Sequence, residues 1–135
     1  MALTSEHIFV NLPVKDLQVS MQFFRNLGFE FNPQFTDDNA ACLIIGQNIF
    51  AMLLVEQYFK TFTKKELTDT HNTTEVILAI SAASREQVDE IVNKALEGGG
   101  KPFNDPVDHG FMYNGSFQDP DGHLWEVVYM EAGEQ

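Results

Sequence analysis

The stretch Ser116-Phe117-Gln118-Asp119-Pro120-Asp121-Gly122-His123-Leu124-Trp125-Glu126 concentrates the side chains best suited to chemistry. Asp-Pro-Asp-Gly is a tight turn: Pro fixes φ, and Gly supplies the positive φ that closes a hairpin. The strand that follows alternates its side chains, so Leu124, Glu126 and Val128 share one face while His123, Trp125, Val127 and Tyr129 take the other. Glu126 is then a carboxylate flanked by apolar neighbours. Carboxylates stay in such places when they are paired or hold a cation, which makes Glu126 a candidate general base or cation ligand; pairing in the core or at a dimer contact is the structural alternative. Tyr113, on the strand paired with the last one, is expected to point its hydroxyl into the same space. Phe9, Asn11, Phe50 and Met52 are expected to line its wall, although an apolar stripe can equally be core. The histidines carry less. His123 beside the turn reads as structural, His7 near the N-terminus as solvated, and His71 and His109 as loop residues.

Two helices must position these groups. The first starts at Asp16, which caps free N–H groups, and aligns Leu17, Met21, Phe24 and Leu27 on one stripe before Gly28. The second has Ser84 at its cap and Gln87 three residues on, followed by Val88, Ile91, Val92, Ala95 and Leu96 at helical spacing and Gly98-Gly99-Gly100 at its end. A strand precedes each helix, at Ile8–Leu12 and Val76–Ile80. Three follow each: Phe29–Phe35, Ala41–Ile45 and Ile49–Val55, then Lys101–Phe103, Phe111–Gln118 and Leu124–Met130. The order strand, helix, three strands therefore occurs twice, giving an α+β chain of two βαβββ modules, approximately 5–56 and 74–131, in a single domain 1–135. The linker, approximately 57–73, reads as a surface connection with a short helical turn. One face of each sheet would meet its helix, and the opposite faces, curled into a mixed-sheet cup, would hold a small molecule.

Composition excludes several function classes. Twenty acidic side chains against eight basic ones give a net charge of −12, a field that repels a phosphate backbone, so no nucleic-acid partner is expected. Twelve Phe against three Tyr and one Trp suggest either a thick core or an apolar-walled pocket. Cys42 is the single cysteine and reads as a buried inert thiol. No signal peptide or membrane span is evident, and a cytoplasmic protein is expected.

The segment Asp119-Pro120-Asp121-Gly122-His123-Leu124-Trp125-Glu126, closing a duplicated βαβββ chain, resembles the vicinal oxygen chelate superfamily of glyoxalases, bleomycin-resistance proteins and extradiol dioxygenases. Asn11-Leu12-Pro13-Val14-Lys15-Asp16-Leu17, with Ser20 and Phe23-Phe24, is similar to that family's first strand and helix. With Gly110-Phe111-Met112-Tyr113, the chain looks most like bacterial predicted lactoylglutathione lyases. The resemblance implies a divalent metal (Zn, Ni, Mn or Fe) held by residues of the first, fifth and last strands. Glu126 matches the last position, and Glu75, nine residues before Ser84, matches the fifth-strand position. Phe9 falls at the first-strand position and has no ligand atom. His7, two residues earlier on the same strand face, serves only in a shifted register. The resemblance also implies a homodimer and two functions. One is a metal-dependent lyase or isomerase of glyoxalase I type, with Glu126 or Glu75 shuttling the proton. The other is a metal-free, bleomycin-resistance-type protein that sequesters its ligand. A dioxygenase, which needs two His and a carboxylate, fits less well.

Overall fold

The computed structural model describes residues 2–131. The chain divides into two compact units, residues 1–67 and 68–135, each built around its own four-stranded sheet.

The first unit contains β1 (Ile8–Val14), α1 (Leu17–Leu27), β2 (Glu30–Asn32), β3 (Ala40–Gly46), β4 (Ile49–Val55) and the short α2 (Glu56–Phe59). Its sheet order is β1-β4-β3-β2, with β1 parallel to β4 and the other pairs antiparallel. Asp16 caps α1 as its sequence position predicts: Oδ1 accepts from the backbone N–H groups of Gln18 (3.1 Å) and Val19 (3.2 Å). Gly28 ends the helix at φ 110°, in the left-handed region where a side chain is strained. The helix stripe Leu17, Met21, Phe24 and Leu27 is buried. Strand register places Leu12 and Leu53, Ala41 and Leu53, and Leu43 and Ala51 opposite one another, and these also are buried. Each large side chain so buried contributes roughly 1.5–3 kcal/mol.

Following Thr68, the second unit repeats the plan: β5 (Ile77–Ser81), α3 (Arg85–Glu97), β6 (Val107–Asp108), β7 (Met112–Gln118) and β8 (Leu124–Met130), in sheet order β5-β8-β7-β6. Ser84 Oγ caps α3 by accepting from Gln87 N at 3.1 Å. The helix lies close over β7 because Gly115 carries no side chain there; a Cβ would stand 2.9 Å from Val92 Cγ2 and 3.3 Å from Val88 Cγ1. Phe117, Trp125 and Val127 complete this core, at most 1% exposed.

Two expected strands are shorter or displaced. The strand expected over Phe29–Phe35 stops at Asn32, because Pro33 opens a 3-10 turn and Asn32 Oδ1 caps it by accepting from Gln34 N at 3.0 Å. In place of a strand at Lys101–Phe103, Lys101 forms one isolated bridge to Gln118 and β6 lies further on. The expected linker carries α2 and a 3-10 turn at Lys60–Phe62. Among the described residues, no helix is long and apolar enough to cross a membrane.

The hairpin turn between β7 and β8 is held from within. Asp119, 5% exposed, accepts at Oδ1 from the backbone N–H groups of Asp121 (2.9 Å) and His123 (3.0 Å), and at Oδ2 from Trp125 Nε1 (3.0 Å). Burial raises its pKa above the ordinary carboxylate range, opposed by the nearby His123 and by the Trp125 hydrogen bond. Gly122 takes φ 86°, and a Cβ there would meet the Thr70 carbonyl oxygen at 2.9 Å. Thr70 Oγ1 donates to the Asp121 carbonyl, tying the inter-strand connection to the turn. His123 is buried in this turn, in the structural place its position suggested.

Candidate functional site

The face of the first sheet turned away from α1 carries Phe9 and Asn11 from β1, Phe50, Met52 and Leu54 from β4, and Ala40 from β3, as the register requires. A cavity of about 590 Å³ opens over part of it. Its floor is Phe9, Asn11, Ala40, Met52 and Leu54. Its walls are Gln34, Phe35, Thr36 and Asp37, from the segment after β2, and Tyr58 and Phe62, from α2 and the turn after it. Four aromatic rings reach this cavity while still meeting solvent: Phe9 is 56% exposed, Phe35 and Phe62 58% each and Tyr58 38%. Tyr58 and Phe62 pack edge to face with centroids 5.2 Å apart.

The polar part of the rim is pre-set by short-range hydrogen bonds. Asp37 Oδ1 accepts from Asn39 N (2.8 Å) and Ala40 N (3.0 Å). Thr36 Oγ1 donates to the Asn32 carbonyl (2.7 Å) and accepts from Cys42 N (3.1 Å). Beside the cavity, Phe9 stacks on Phe50 with ring centroids 5.1 Å apart, and His7 stacks on both at 6.3 and 6.0 Å. Cys42 is buried nearby, and burial pushes its thiol pKa up.

On the second sheet, Glu126 faces away from α3, directly opposite Ser116 and beside Ala79. It is half-buried, and among the described residues no hydrogen bond or ion pair holds its carboxylate. A cavity of about 250 Å³ lies at this point, lined by Asn104, Asp105, Val107, Asn114, Gly115, Ser116 and Glu126. Glu75 is exposed in a bend before β5, its Oε2 accepting from Thr68 Oγ1 at 3.1 Å. Tyr113 points the other way, towards α3. Its hydroxyl donates to Asp89 Oδ1 at 2.6 Å and its ring lies under the Arg85 guanidinium, so it does not share the face of Glu126. The expected ligands are thus divided: His7 belongs to the first unit, Glu75 and Glu126 to the second. Among the described residues of each unit, no three His, Cys, Asp or Glu side chains gather to hold a metal.

A family model for the Glyoxalase/Bleomycin resistance protein/Dioxygenase superfamily matches residues 5–127. The chain belongs to this superfamily. Solved structures agree on the glyoxalase/bleomycin resistance fold. A hypothetical protein, SA1046, from S. aureus is 30% identical with a TM-score of 0.79, the match covering 93% of this chain and 95% of that one. A glyoxalase/bleomycin resistance protein/dioxygenase family enzyme from Burkholderia phytofirmans PsJN is 15% identical with a TM-score of 0.78, covering 91% and 97%. A glyoxalase-related enzyme from Fulvimarina pelagi is 18% identical with a TM-score of 0.77, covering 94% and 88%. No curated protein matches. For a superfamily member expected to carry a first-strand ligand, the donor set here does not fit a metal: the position holds Phe9, and the His7 ring is stacked against Phe9 and Phe50.

Of the residues singled out from sequence, Phe9, Asn11 and Met52 line the first cavity, Phe50 stands beside it and Glu126 lines the second. Sequence reasoning missed Phe35, Tyr58 and Phe62. The signal was present in Gln57-Tyr58-Phe59-Lys60-Thr61-Phe62, where three aromatic residues occupy an otherwise polar connection. It missed Asn114 and Ser116 as well, which alternation puts on the same face as Val107 and Glu126 once the strand pairing is known.

Proposed function

We propose that this protein binds a planar, largely apolar small molecule, neutral or cationic, in the aromatic cavity of its first unit, as a binding member of the superfamily with no catalytic metal. One observation carries the reading. Phe9, at the position where a ligand is expected, stacks on Phe50 and presents its ring to a cavity that Phe35, Tyr58 and Phe62 also line. Rings in such an open position gain from covering by a flat partner, at about 25 cal/mol per Å² of apolar surface buried. Asn11, Gln34 and Asp37 are the polar groups available to orient it. Among the described residues no Lys, Arg or His lines the cavity, which disfavours an anion.

The test is fluorescence titration with the neutral aromatic probe N-phenyl-1-naphthylamine. We expect saturable binding at one site per chain, weakened about tenfold, or about 1.4 kcal/mol, by Phe35→Ala or Phe62→Ala. Both residues are more than half exposed, so neither change removes core packing. Absence of saturable binding, or binding that both variants leave unchanged, would sink the proposal.

A second reading rests on Glu126, half-buried with no partner among the described residues. It makes the protein a metal-dependent lyase of glyoxalase I type, with Glu126 as the expected last-strand ligand. Elemental analysis of protein purified without chelator or added metal separates the two. About one Zn, Ni, Mn or Fe per chain, lost in Glu126→Ala, favours the lyase. Metal-free protein that stays so after dialysis against these ions favours the binder.

A further inference from the structure

We propose that the cavity on the second sheet is a site for an organic cation that donates N–H bonds, a guanidinium or primary ammonium group. Its lining shares no residue with the aromatic cavity, so aromatic binding there and cation binding here are tested separately, although Glu126 is common to this site and to the metal reading. The argument begins with a count of hydrogen-bonding capacity. Among the described residues, Asn114 Oδ1 is buried and has no partner, and a buried acceptor left so is costly. Ser116 Oγ gives its proton to the Asn104 carbonyl at 3.2 Å, so its lone pairs remain available as acceptors, and the residue lines the cavity. Glu126, directly across the ladder from Ser116, brings a carboxylate that no cation of this chain neutralises among the described residues. Asp105 brings a second at the rim.

The cavity therefore offers acceptors and negative charge, and among the described residues no Lys, Arg or His lines it. A chain of net charge −12 supplies no opposing field. The missing partner is one that is positive, carries several N–H donors and is small enough for about 250 Å³. A guanidinium meets all three conditions, because its donors diverge in a plane and can bond a carboxylate and an amide oxygen together. A bare divalent ion meets them less well. It needs more oxygen or nitrogen ligands than Glu126 and Asp105 provide, and among the described residues no three ligating side chains gather here.

The experiment is a nuclear magnetic resonance titration of the isotope-labelled whole chain with methylguanidinium chloride. Tetramethylammonium chloride, equal in charge but without N–H donors, is the matched control. We expect saturable shifts at the Asn114 side-chain amide and at the backbone amides of Gly115, Ser116 and Glu126. They should be weakened about tenfold or more in Glu126→Gln, since a charge-assisted hydrogen bond is lost, and should be absent with tetramethylammonium. Asp105→Asn, at an exposed position, serves as a second variant should Glu126→Gln fail to give a folded spectrum, and is expected to weaken binding in the same direction. Equal shifts with tetramethylammonium would reduce the effect to charge attraction and overturn the proposal. So would the absence of shifts at these residues, binding unaffected by the carboxylate variants, or displacement of methylguanidinium by stoichiometric Zn²⁺, which would hand the site to a metal.

Discussion

Replacing Asp119 with Ala should remove about a third of the stability of a domain this size. The carboxylate is buried and holds three N–H groups: Asp121 N and His123 N at Oδ1, and Trp125 Nε1 at Oδ2. Each donor left unsatisfied in buried surroundings costs about 1–3 kcal/mol. Removing a buried charge offsets part of that sum, so the net loss is about 3 kcal/mol, against a typical total of roughly 5–15 kcal/mol. Asp119→Asn should cost less, about 1–2 kcal/mol. Its carbonyl oxygen can still accept from the two backbone N–H groups, while its NH₂ faces Trp125 Nε1 and that one hydrogen bond is lost. Urea unfolding followed by far-UV circular dichroism and by Trp125, the single tryptophan, measures both. The pH dependence supplies a sign. Burial raises the folded pKa of Asp119, so the folded state holds that proton more tightly than the unfolded chain. This contribution is full below the ordinary carboxylate range and is lost as pH rises through the raised folded value. The advantage of wild type over Asp119→Asn should therefore narrow on going from acid to neutral pH. A loss below about 1 kcal/mol in Asp119→Ala would refute the view that this carboxylate organises the turn.

Gly115→Ala tests the close approach of α3 to β7. Alanine in place of a strand glycine ordinarily stabilises by about 0.5–1 kcal/mol, but the Val92 methyl 2.9 Å from the new Cβ should reverse the sign to a loss of about 1–3 kcal/mol; a neutral or stabilising result in thermal unfolding would show that α3 shifts freely. The loop at Asp108–Gly110 should loosen in acid. Asp108 is bonded to Arg85 Nη1 at 2.7 Å and accepts from Gly110 N at 2.8 Å, and these partners hold its pKa below the ordinary range. Protection of the Gly110 amide from hydrogen exchange should be full above about pH 4 and fall as pH drops through the lowered value, with that acid dependence missing in Asp108→Asn.

Local signals in the chain were strong enough to determine most of the fold. Asp16 and Ser84 cap helices because their side-chain oxygens satisfy free N–H groups, and Gly28 ends one because the backbone there is left-handed; these effects act within a few residues. Alternation likewise put Glu126 opposite in direction to Trp125 and Val127, and the structure agrees. Where Pro33 interrupts the pattern, the expected strand fails for a reason that was also local. The site was less legible, since it depends on which residues meet across strands and turns. Tyr113 is on the paired strand, yet its direction is decided by the register with β8 and by Asp89 on α3. Phe35, Tyr58 and Phe62 come to Phe9 from two separate connections, and no periodicity brings such segments together. Asn114 Oδ1 becomes an unpaired acceptor only after packing has removed water from around it. The sequence by itself thus determined the elements, their order and the inward-facing side of each, because those follow from short-range sterics and hydrogen bonding. Tertiary structure alone decided which rings share a cavity and which polar atoms are left without partners, because both arise from long-range packing.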